Sequence, residues 1–265
     1  NGTDVNTEEL VQLAPDVVFY SASNPALGEK LTASGFCAIA VSANKWQYNC
    51  IETLNNWIGL LSQIFPENDR AVLCRSYSED VYAMVQERVK DIPDDERARA
   101  FFLFQYNDST IMTSGQCFFG QWWADAIGAV NVANELTTDN SVTVNLEQVY
   151  DWNPGIIFMT NFNTFQPDDL YNNTVGTYDW SGIQAVQNQS VYKMPLGMYR
   201  SYTPGIDTPI TLLWMAKTTY PTLFEDIDVT QRAIDYYETV FGVTLTPEQV
   251  ETIFAPISAA GTLYF

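Results

Sequence analysis

Residues 6–19 of the chain read NTEELVQLAPDVVF, and residues 145–158 read NLEQVYDWNPGIIF. Asparagine, glutamate, proline and phenylalanine recur in the same register, at a constant offset of 139 residues (145 − 6 and 158 − 19). Solenoid repeats have periods of about 20–50 residues, so this spacing is too long for a solenoid. The duplication instead predicts two similar α/β lobes in one chain, with a ligand bound between them.

Each copy predicts a short helix that runs into a buried strand. Asn6 and Asn145 are good helix N-caps, and an acid or amide three residues later completes the pattern of a capping box. The proline of each copy ends the helix, because it disfavours helical backbone at the preceding residue and lacks an N–H. The continuous apolar runs at 17–20 and 156–159 are typical of strands covered on both faces of a parallel sheet.

The residues after each copy predict a βαβ unit. In the first lobe a helix at 26–34 and a strand at 37–41 follow; in the second, a polar loop at 161–179 precedes a helix at 180–188 and a strand at 190–194. Such units are right-handed, with parallel strands. Ligands of open α/β sheets lie beyond the carboxyl ends of the strands, so the loops there are the expected binding loops.

A long helix is predicted at 67–91, between the two copies. Apolar residues at spacings of three and four form one face of it, and Pro93 ends the pattern. At a rise of 1.5 Å per residue it would span roughly 36 Å. We expect a rigid connector, which divides the chain into a first lobe at 1–66, the helix at 67–92 and a second lobe at 93–265. An ordinary surface helix is the alternative.

Composition excludes several functions. The net charge is −20, with 12 basic and 32 acidic residues, which argues against binding to nucleic acid or to anionic membranes. The chain has no histidine, so Ser–His–Asp triads and imidazole zinc sites are excluded. The four cysteines have no metal-ligand spacing, and buried free thiols are expected, with a disulfide left open. No segment predicts a signal peptide or a transmembrane helix.

Several segments together resemble the substrate-binding proteins of ABC importers for iron–siderophore complexes, haem and cobalamin. They are the doubled motif, the loop, helix and turn from Ser114-Gly115 to Asn131-Val132-Ala133, the long helix, and the tail from Leu213 to Glu248. The resemblance covers nearly the whole chain. It implies the class III fold, an α/β protein of two Rossmann-like lobes joined by one long rigid helix. Members of this family carry about one more βαβ stretch ahead of the segment that opens this chain, so the N-terminal lobe is expected to be incomplete.

The resemblance also implies a function. It predicts an extracytoplasmic protein, periplasmic or lipid-anchored as a lipoprotein, that captures an iron complex of siderophore type and delivers it to an ABC permease dimer. Cobalamin, haem and oxyanions such as molybdate are alternative ligands; the absence of histidine disfavours haem, although tyrosine can ligate haem iron. No enzymatic activity, cofactor, bound metal or nucleic-acid partner is expected. We expect a monomer, held at the membrane only by the tether of a full-length form.

Particular residues follow from the resemblance and from the predicted loops. One glutamate per lobe docks on the permease in this family, which assigns that role to Glu8 and Glu147; alternatively, both are acids that stabilise a first helical turn. Lys45 and Arg200 lie beside aromatic residues and suit an anionic chelate, unless they are solvated surface cations. The predicted ligand-binding residues are Tyr20, Ser21, Lys45, Trp46, Tyr106, Phe118, Trp122, Asn161, Tyr199, Arg200 and Tyr202. Core packing is the alternative for Trp122.

Two other classes of protein remain open. A carboxylate-dependent enzyme on a two-lobed scaffold would use acids such as Asp168, Asp169 or Asp179, although no nucleophile or metal set accompanies them. A binding domain of a receptor or sensor would need no permease. The two glutamates at matching positions favour transport over this second alternative.

Overall fold

A computed structural model describes residues 5–67 and 70–257 of the chain. The chain divides into two compact units, residues 1–46 and residues 47–265. The sequence pattern had placed the end of the first lobe at residue 66. The boundary lies earlier because the helix that follows residue 49 packs against helices of the second unit.

The first unit is a βαβ arrangement preceded by a short helix. Its elements are α1 (Thr7–Leu13), β1 (Val18–Ser21), α2 (Pro25–Ala33) and β2 (Ala38–Val41). The two strands are parallel, with Val18 opposite Ala38. The prediction that β1 is covered on both faces is wrong: its residues alternate between half-buried and exposed, and Phe19 is 42% exposed. One helix can cover only one face of a two-stranded sheet.

The second unit is built on a six-stranded mixed sheet. Its strands are β3 (Arg99–Tyr106), β4 (Ile111–Ser114), β5 (Val130–Asn131), β6 (Ser141–Val144), β7 (Ile156–Met159) and β8 (Val191–Lys193). The strand order is β6-β4-β3-β7-β8, and β5 pairs with β3. Strands β3, β7 and β8 are parallel, whereas β4 is antiparallel to both β3 and β6. The two copies of the repeated motif therefore belong to separate sheets.

The described residues of the second unit also form nine helices. They are α3 (Cys50–Ile64), α4 (Arg70–Val89), α5 (Phe119–Ala126), α6 (Leu146–Trp152), α7 (Pro167–Tyr171), α8 (Gln184–Gln187), α9 (Thr208–Thr219), α10 (Val229–Phe241) and α11 (Pro247–Phe254). The long helix α4 is present at nearly the predicted bounds. It packs laterally on α3, α9 and α10, and buries Val81, Val85 and Val89. Its role as a connector between lobes stays a prediction.

The duplicated motif folds alike in both units. Helices α1 and α6 each have seven residues, and the side chains of Asn6 and Asn145 accept hydrogen bonds from backbone N–H groups within the first helical turn. Each helix ends on a residue in the left-handed conformation, Ala14 with φ 45° and Asn153 with φ 41°. A strand follows each helix, as predicted. In contrast to β1, all four residues of β7 are buried.

The cysteines agree only in part with the prediction of buried free thiols. All four cysteines are free thiols; Cys50 and Cys74 are buried and Cys117 is half-buried, but Cys37 is exposed, contrary to the prediction. In the part of the chain that the structure describes, no helix combines the length and apolarity needed to cross a membrane.

Candidate ligand-binding site

Two loops of the second unit lie at the same edge of its sheet. Strands β7 and β8 are parallel neighbours, so the segments that follow them, 160–166 and 194–202, leave the sheet at the same end. This carboxyl edge is where open α/β sheets place their ligands. Five of the predicted ligand-binding residues lie in or directly beside these two segments: Asn161, Tyr199, Arg200, Tyr202 and, at the end of β3, Tyr106.

A cation stacked on aromatic rings joins the two loops. The guanidinium carbon of Arg200 lies 4.5 Å from the centre of the Phe162 ring and 5.7 Å from that of Tyr199. Arg200 and Phe162 are half-buried, and Tyr199 is 46% exposed, so solvent reaches the cluster. The positive charge of Arg200 therefore lies against aromatic rings at a surface that solvent reaches.

Phe162 rests on a packed aromatic layer. Its ring centre lies 5.0 Å from that of Phe104, and Phe104 in turn contacts Phe118 edge-on at 5.2 Å and Tyr202 at 5.5 Å. Phe118 is 7% exposed and Tyr202 is fully buried. The Tyr202 hydroxyl accepts a hydrogen bond from the Gly120 N–H at 3.0 Å, and burial raises the pKa of that hydroxyl. The structure therefore corrects the prediction for Tyr202 and Phe118, which support the surface from below.

Tyr106 lies on the opposite face of the sheet from Phe104. The register of β3 against β4 shifts between Leu103 and Gln105, which makes a β-bulge. Strand alternation alone would put Phe104 and Tyr106 on one face; the extra residue moves Tyr106 to the other. There its hydroxyl accepts a hydrogen bond from Trp180 Nε1 at 2.9 Å, and the residue is 4% exposed. The prediction that Tyr106 contacts ligand is corrected: it is a core residue.

Trp122 also packs in the core. It is 8% exposed, stacks on Tyr82 at 6.3 Å and meets Trp123 edge-on at 4.7 Å. Core packing was the alternative given for it, and the geometry favours that alternative. Both tryptophans belong to helix α5, six of whose eight residues are buried.

Asn161 ties the first loop to the second. Its Nδ2 donates to the backbone oxygens of Met194 at 3.0 Å and Pro195 at 3.3 Å. The residue is 1% exposed, and its Oδ1 is buried without a hydrogen-bond partner among the described residues. Asn161 thus holds the start of the 194–202 segment in place.

Lys193 makes the reverse connection, from the end of β8 to the first loop. Its Nζ donates to the backbone oxygen of Asn163 at 2.9 Å, to the Asn163 side-chain oxygen at 3.1 Å and to the backbone oxygen of Phe165 at 2.7 Å. Lys193 is 5% exposed. Burial lowers the pKa of its ammonium to about 7, against the opposing attraction of Asp169.

A buried carboxylate anchors the second loop. Asp207 Oδ2 accepts a hydrogen bond from the Met198 N–H at 2.6 Å, and Tyr237 donates its hydroxyl to Oδ1. A Cβ on Gly197 would lie 2.5 Å from the Asp207 carboxyl carbon, so only glycine allows this approach. Burial raises the pKa of the Asp207 carboxyl. The loop that carries Tyr199 and Arg200 is thereby held against α10.

Sequence reasoning missed both buried charges. The signal for Lys193 was present: it lies two residues after Val191, on the buried side of a strand, in a chain with only 12 basic residues. Asp207 carried no comparable signal, because a single acid before a helix is ordinarily an exposed cap.

The predicted ligand-binding residues of the first unit make contacts with residues close to them in sequence. The Tyr20 ring covers Gly28, where a Cβ would lie 2.4 Å from the ring carbon that bears the hydroxyl. The Ser21 hydroxyl pairs with the Ser23 hydroxyl at 2.8 Å. Lys45 is exposed, with its Nζ 4.9 Å from the centre of the Trp46 ring. Their roles toward a ligand stay predictions.

Glu8 and Glu147 occupy the same position in matching helices. Each is the second residue of its helix, α1 or α6, and each is exposed. A carboxylate there is also favoured by the helix dipole, so the local and the docking interpretations are compatible.

The acids considered for catalysis have structural contacts. Asp169 accepts the Gln166 N–H at 2.8 Å and completes a capping box at α7, while Asp179 accepts the Ser181 N–H at 3.0 Å. Asp168 lies in the same first turn of α7. Within residues 5–67 and 70–257, no group of three or more cysteine, aspartate or glutamate side chains could hold a metal ion.

The sequence signature of the periplasmic binding protein family matches residues 1–196. The chain belongs to this family, whose members act outside the cytoplasm. This confirms the resemblance inferred from the doubled motif together with the other matching segments.

Individual relatives cover most of the chain. A periplasmic solute-binding protein from Veillonella parvula is 28% identical and superposes with a TM-score of 0.83, over 98% of this chain and 75% of that one. The molybdate-binding protein MolA of Haemophilus influenzae is 24% identical over 92% of this chain and 72% of the relative. Its molybdate-bound structure (23% identical, 92% and 77% covered) has a TM-score of 0.75. CeuE of Helicobacter pylori, in a nickel–histidine complex, has a TM-score of 0.74 at 23% identity, over 94% and 75% of the two chains. Because the MolA and CeuE structures are only 23% identical to this chain, their similarity establishes a shared fold and nothing beyond it.

Proposed function

We propose that the chain is the solute-binding component of an ABC importer and holds an anionic ligand at the carboxyl edge of the six-stranded sheet. The stacking of Arg200 on Phe162 carries this proposal. It puts a permanent positive charge and an exposed aromatic surface on the two loops that follow adjacent parallel strands. In a chain of net charge −20, such a cation is a specific feature rather than a general surface property.

Two classes of anionic ligand fit this surface. The sequence resemblance favours an iron complex of siderophore type, whose flat chelating groups would pack against Phe162 and Tyr199. The relative MolA favours an oxyanion, since it is named as a molybdate-binding protein. Both need a fork of N–H donors for negatively charged oxygens, and arginine provides it. We therefore base the proposal on the shared negative charge.

The permease contact is proposed from the two exposed glutamates. Glu8 and Glu147 present one carboxylate each from equivalent helix positions of the two units. Paired arginines on a symmetric permease dimer would bind one carboxylate each. The protein would perform no chemistry on its ligand, because its role ends with delivery.

Native mass spectrometry against a ligand panel tests the proposal. The panel contains molybdate, a ferric tris-catecholate complex, haem, cobalamin and nickel with histidine. We expect a one-to-one complex with at least one anionic ligand, and competition between any two anions that bind. A chain that binds none of the anions, or that binds only cobalamin, would contradict the proposal.

A further inference from the structure

We propose that Lys193 is a positioning residue, whose buried amine fixes the segment 160–166 and with it the orientation of Phe162 under Arg200. Lys193 ends β8, the strand next to β7 in the sheet, and β7 leads into that segment. Lys193 reaches across to the neighbouring loop instead of bonding its own. That Phe162 and Arg200 contact ligand rests on the proposed function; the fixing of the loop does not.

The ammonium satisfies all its protons on one short segment. It has three N–H donors, and three oxygens of Asn163 and Phe165 accept them at 2.7–3.1 Å. Burying a charged amine is costly unless its donors are paired. The segment that supplies the acceptors therefore cannot move away unless the amine gives up these bonds and is rehydrated.

Hydrogen bonds of Thr160 and Asn163 hold the backbone on both sides of Phe162. The Phe162 N–H donates to Thr160 Oγ1 at 3.2 Å, and that hydroxyl donates to the Phe104 backbone oxygen at 2.6 Å. Asn163 Nδ2 donates to the Thr160 backbone oxygen at 3.1 Å. Phe162 is thus held on one side by β3 and on the other by Asn163, which Lys193 holds. With Asn161 bonded to the second loop, the two loops are tied reciprocally.

Few ionisable side chains lie near Lys193 on the elements that pack against β8. Helix α7 packs against β8 and brings Asp168, Asp169 and the Tyr171 hydroxyl to that side. Asp169 attracts the ammonium, but its carboxylate is already bonded to the Gln166 N–H and the Thr174 hydroxyl. Tyr171 bonds the backbone of Val191. Strand β7, on the other side, carries no ionisable side chain. The ammonium is therefore held chiefly by the loop oxygens.

Hydrogen–deuterium exchange of the ligand-free chain tests the inference directly. Lys193→Met keeps the length and apolar stem of the side chain but removes all three donors. We expect the protection of amides in 160–166 to fall at least tenfold, while amides of β3 stay unchanged. Lys90→Met is the matched control: Lys90 is exposed and pairs with Glu87, so the same charge is lost without effect on the loop.

A pH profile separates positioning from a general loss of packing. The pKa of Lys193 is about 7 when buried, and opening the loop would return the ammonium to water, where lysine titrates near 10.4. The open state then holds more protons than the closed state above pH 7. Opening therefore becomes harder as pH rises, and wild-type protection of 160–166 should increase between pH 7 and about 8.5. The profile of Lys193→Met should be flat.

The outcomes are distinct. Unchanged protection of 160–166 in Lys193→Met, or identical pH profiles for variant and wild type, overturns the inference. If Lys193→Met does not fold, Lys193→Gln, whose shorter side chain cannot make all three bonds, must lower protection in 160–166 or the inference falls. If the exchange results hold but no anion binds to the wild type, the proposed function fails while the role of Lys193 in the loop stands.

Discussion

The guanidinium of Arg200 lies 4.5 Å from the centre of the Phe162 ring, although one residue follows β8 and the other follows β7. Parallel pairing of the two strands brings both loops to one edge, and buried groups then fix each loop. Lys193 holds the first loop and Asp207 the second. The candidate site is therefore a stacked pair presented by two restrained segments of the second unit.

Tyr106→Phe should destabilise the protein without weakening ligand binding. The substitution removes the acceptor of the Trp180 indole N–H and leaves that buried donor unpaired, at a cost of about 1–3 kcal/mol. Urea denaturation measures the loss, and calorimetry with a bound anion measures affinity. A variant that kept its stability but lost affinity for the anion would show that Tyr106 contacts the ligand.

Charge reversal of Glu8 and Glu147 together should abolish uptake while ligand affinity stays at the wild-type level. Permease docking needs both carboxylates, whereas the ligand surface lies on other loops. Glu248→Lys is the control, because Glu248 is also exposed and the second residue of a capped helix. Each reversal puts a cation in a first helical turn, where the helix dipole disfavours it, so the double variant should lose about twice as much stability as the control. Normal uptake by the double variant would refute the docking role.

The free energy of unfolding should rise between pH 7 and pH 8.5 because of Lys193. Its pKa is about 7 in the folded chain and near 10.4 when unfolded, so in this window the unfolded chain binds the extra proton. One such group contributes a slope of at most about 1.4 kcal/mol per pH unit. No histidine titrates in this window, since the chain has none.

Denaturation series of wild type and Lys193→Met at several pH values check this slope. The difference between them isolates Lys193, and we expect it to increase with pH. Measurements stop near pH 8.5 because burial raises the pKa values of Cys50 and Cys74, and their unfolded thiols lose protons first at higher pH. A difference that is independent of pH would show that Lys193 titrates normally.

Sequence predicted the elements whose limits are set locally. The asparagine caps and prolines of the duplicated motif fixed α1 and α6, and the apolar runs gave β1 and β7 within one residue. The family followed from this motif in combination with the 114–133 segment, the long helix and the tail. Arg200 was found because basic residues are scarce and this one lies among aromatics.

What sequence could not give depends on tertiary contacts. The bulge in β3 reverses the face of Tyr106, and no residue pattern marks it. The burial of Tyr202 depends on α5 and on Phe104, which are distant in sequence. The low exposure of Lys193 and Asp207 likewise results from loops that close over them. The predicted boundary at residue 66 took no account of the packing of α3 and α4 with α9.

Calorimetric titration of Arg200→Gln tests the central claim most directly. The anion that binds best in the panel is titrated into wild type, Arg200→Gln and the control Arg75→Gln, whose arginine is exposed and pairs with Glu79. Loss of charge-assisted hydrogen bonds worth about 1.5–3 kcal/mol predicts a roughly ten- to hundredfold weaker Kd for Arg200→Gln alone. Equal affinity of all three proteins would contradict an anion site on Arg200.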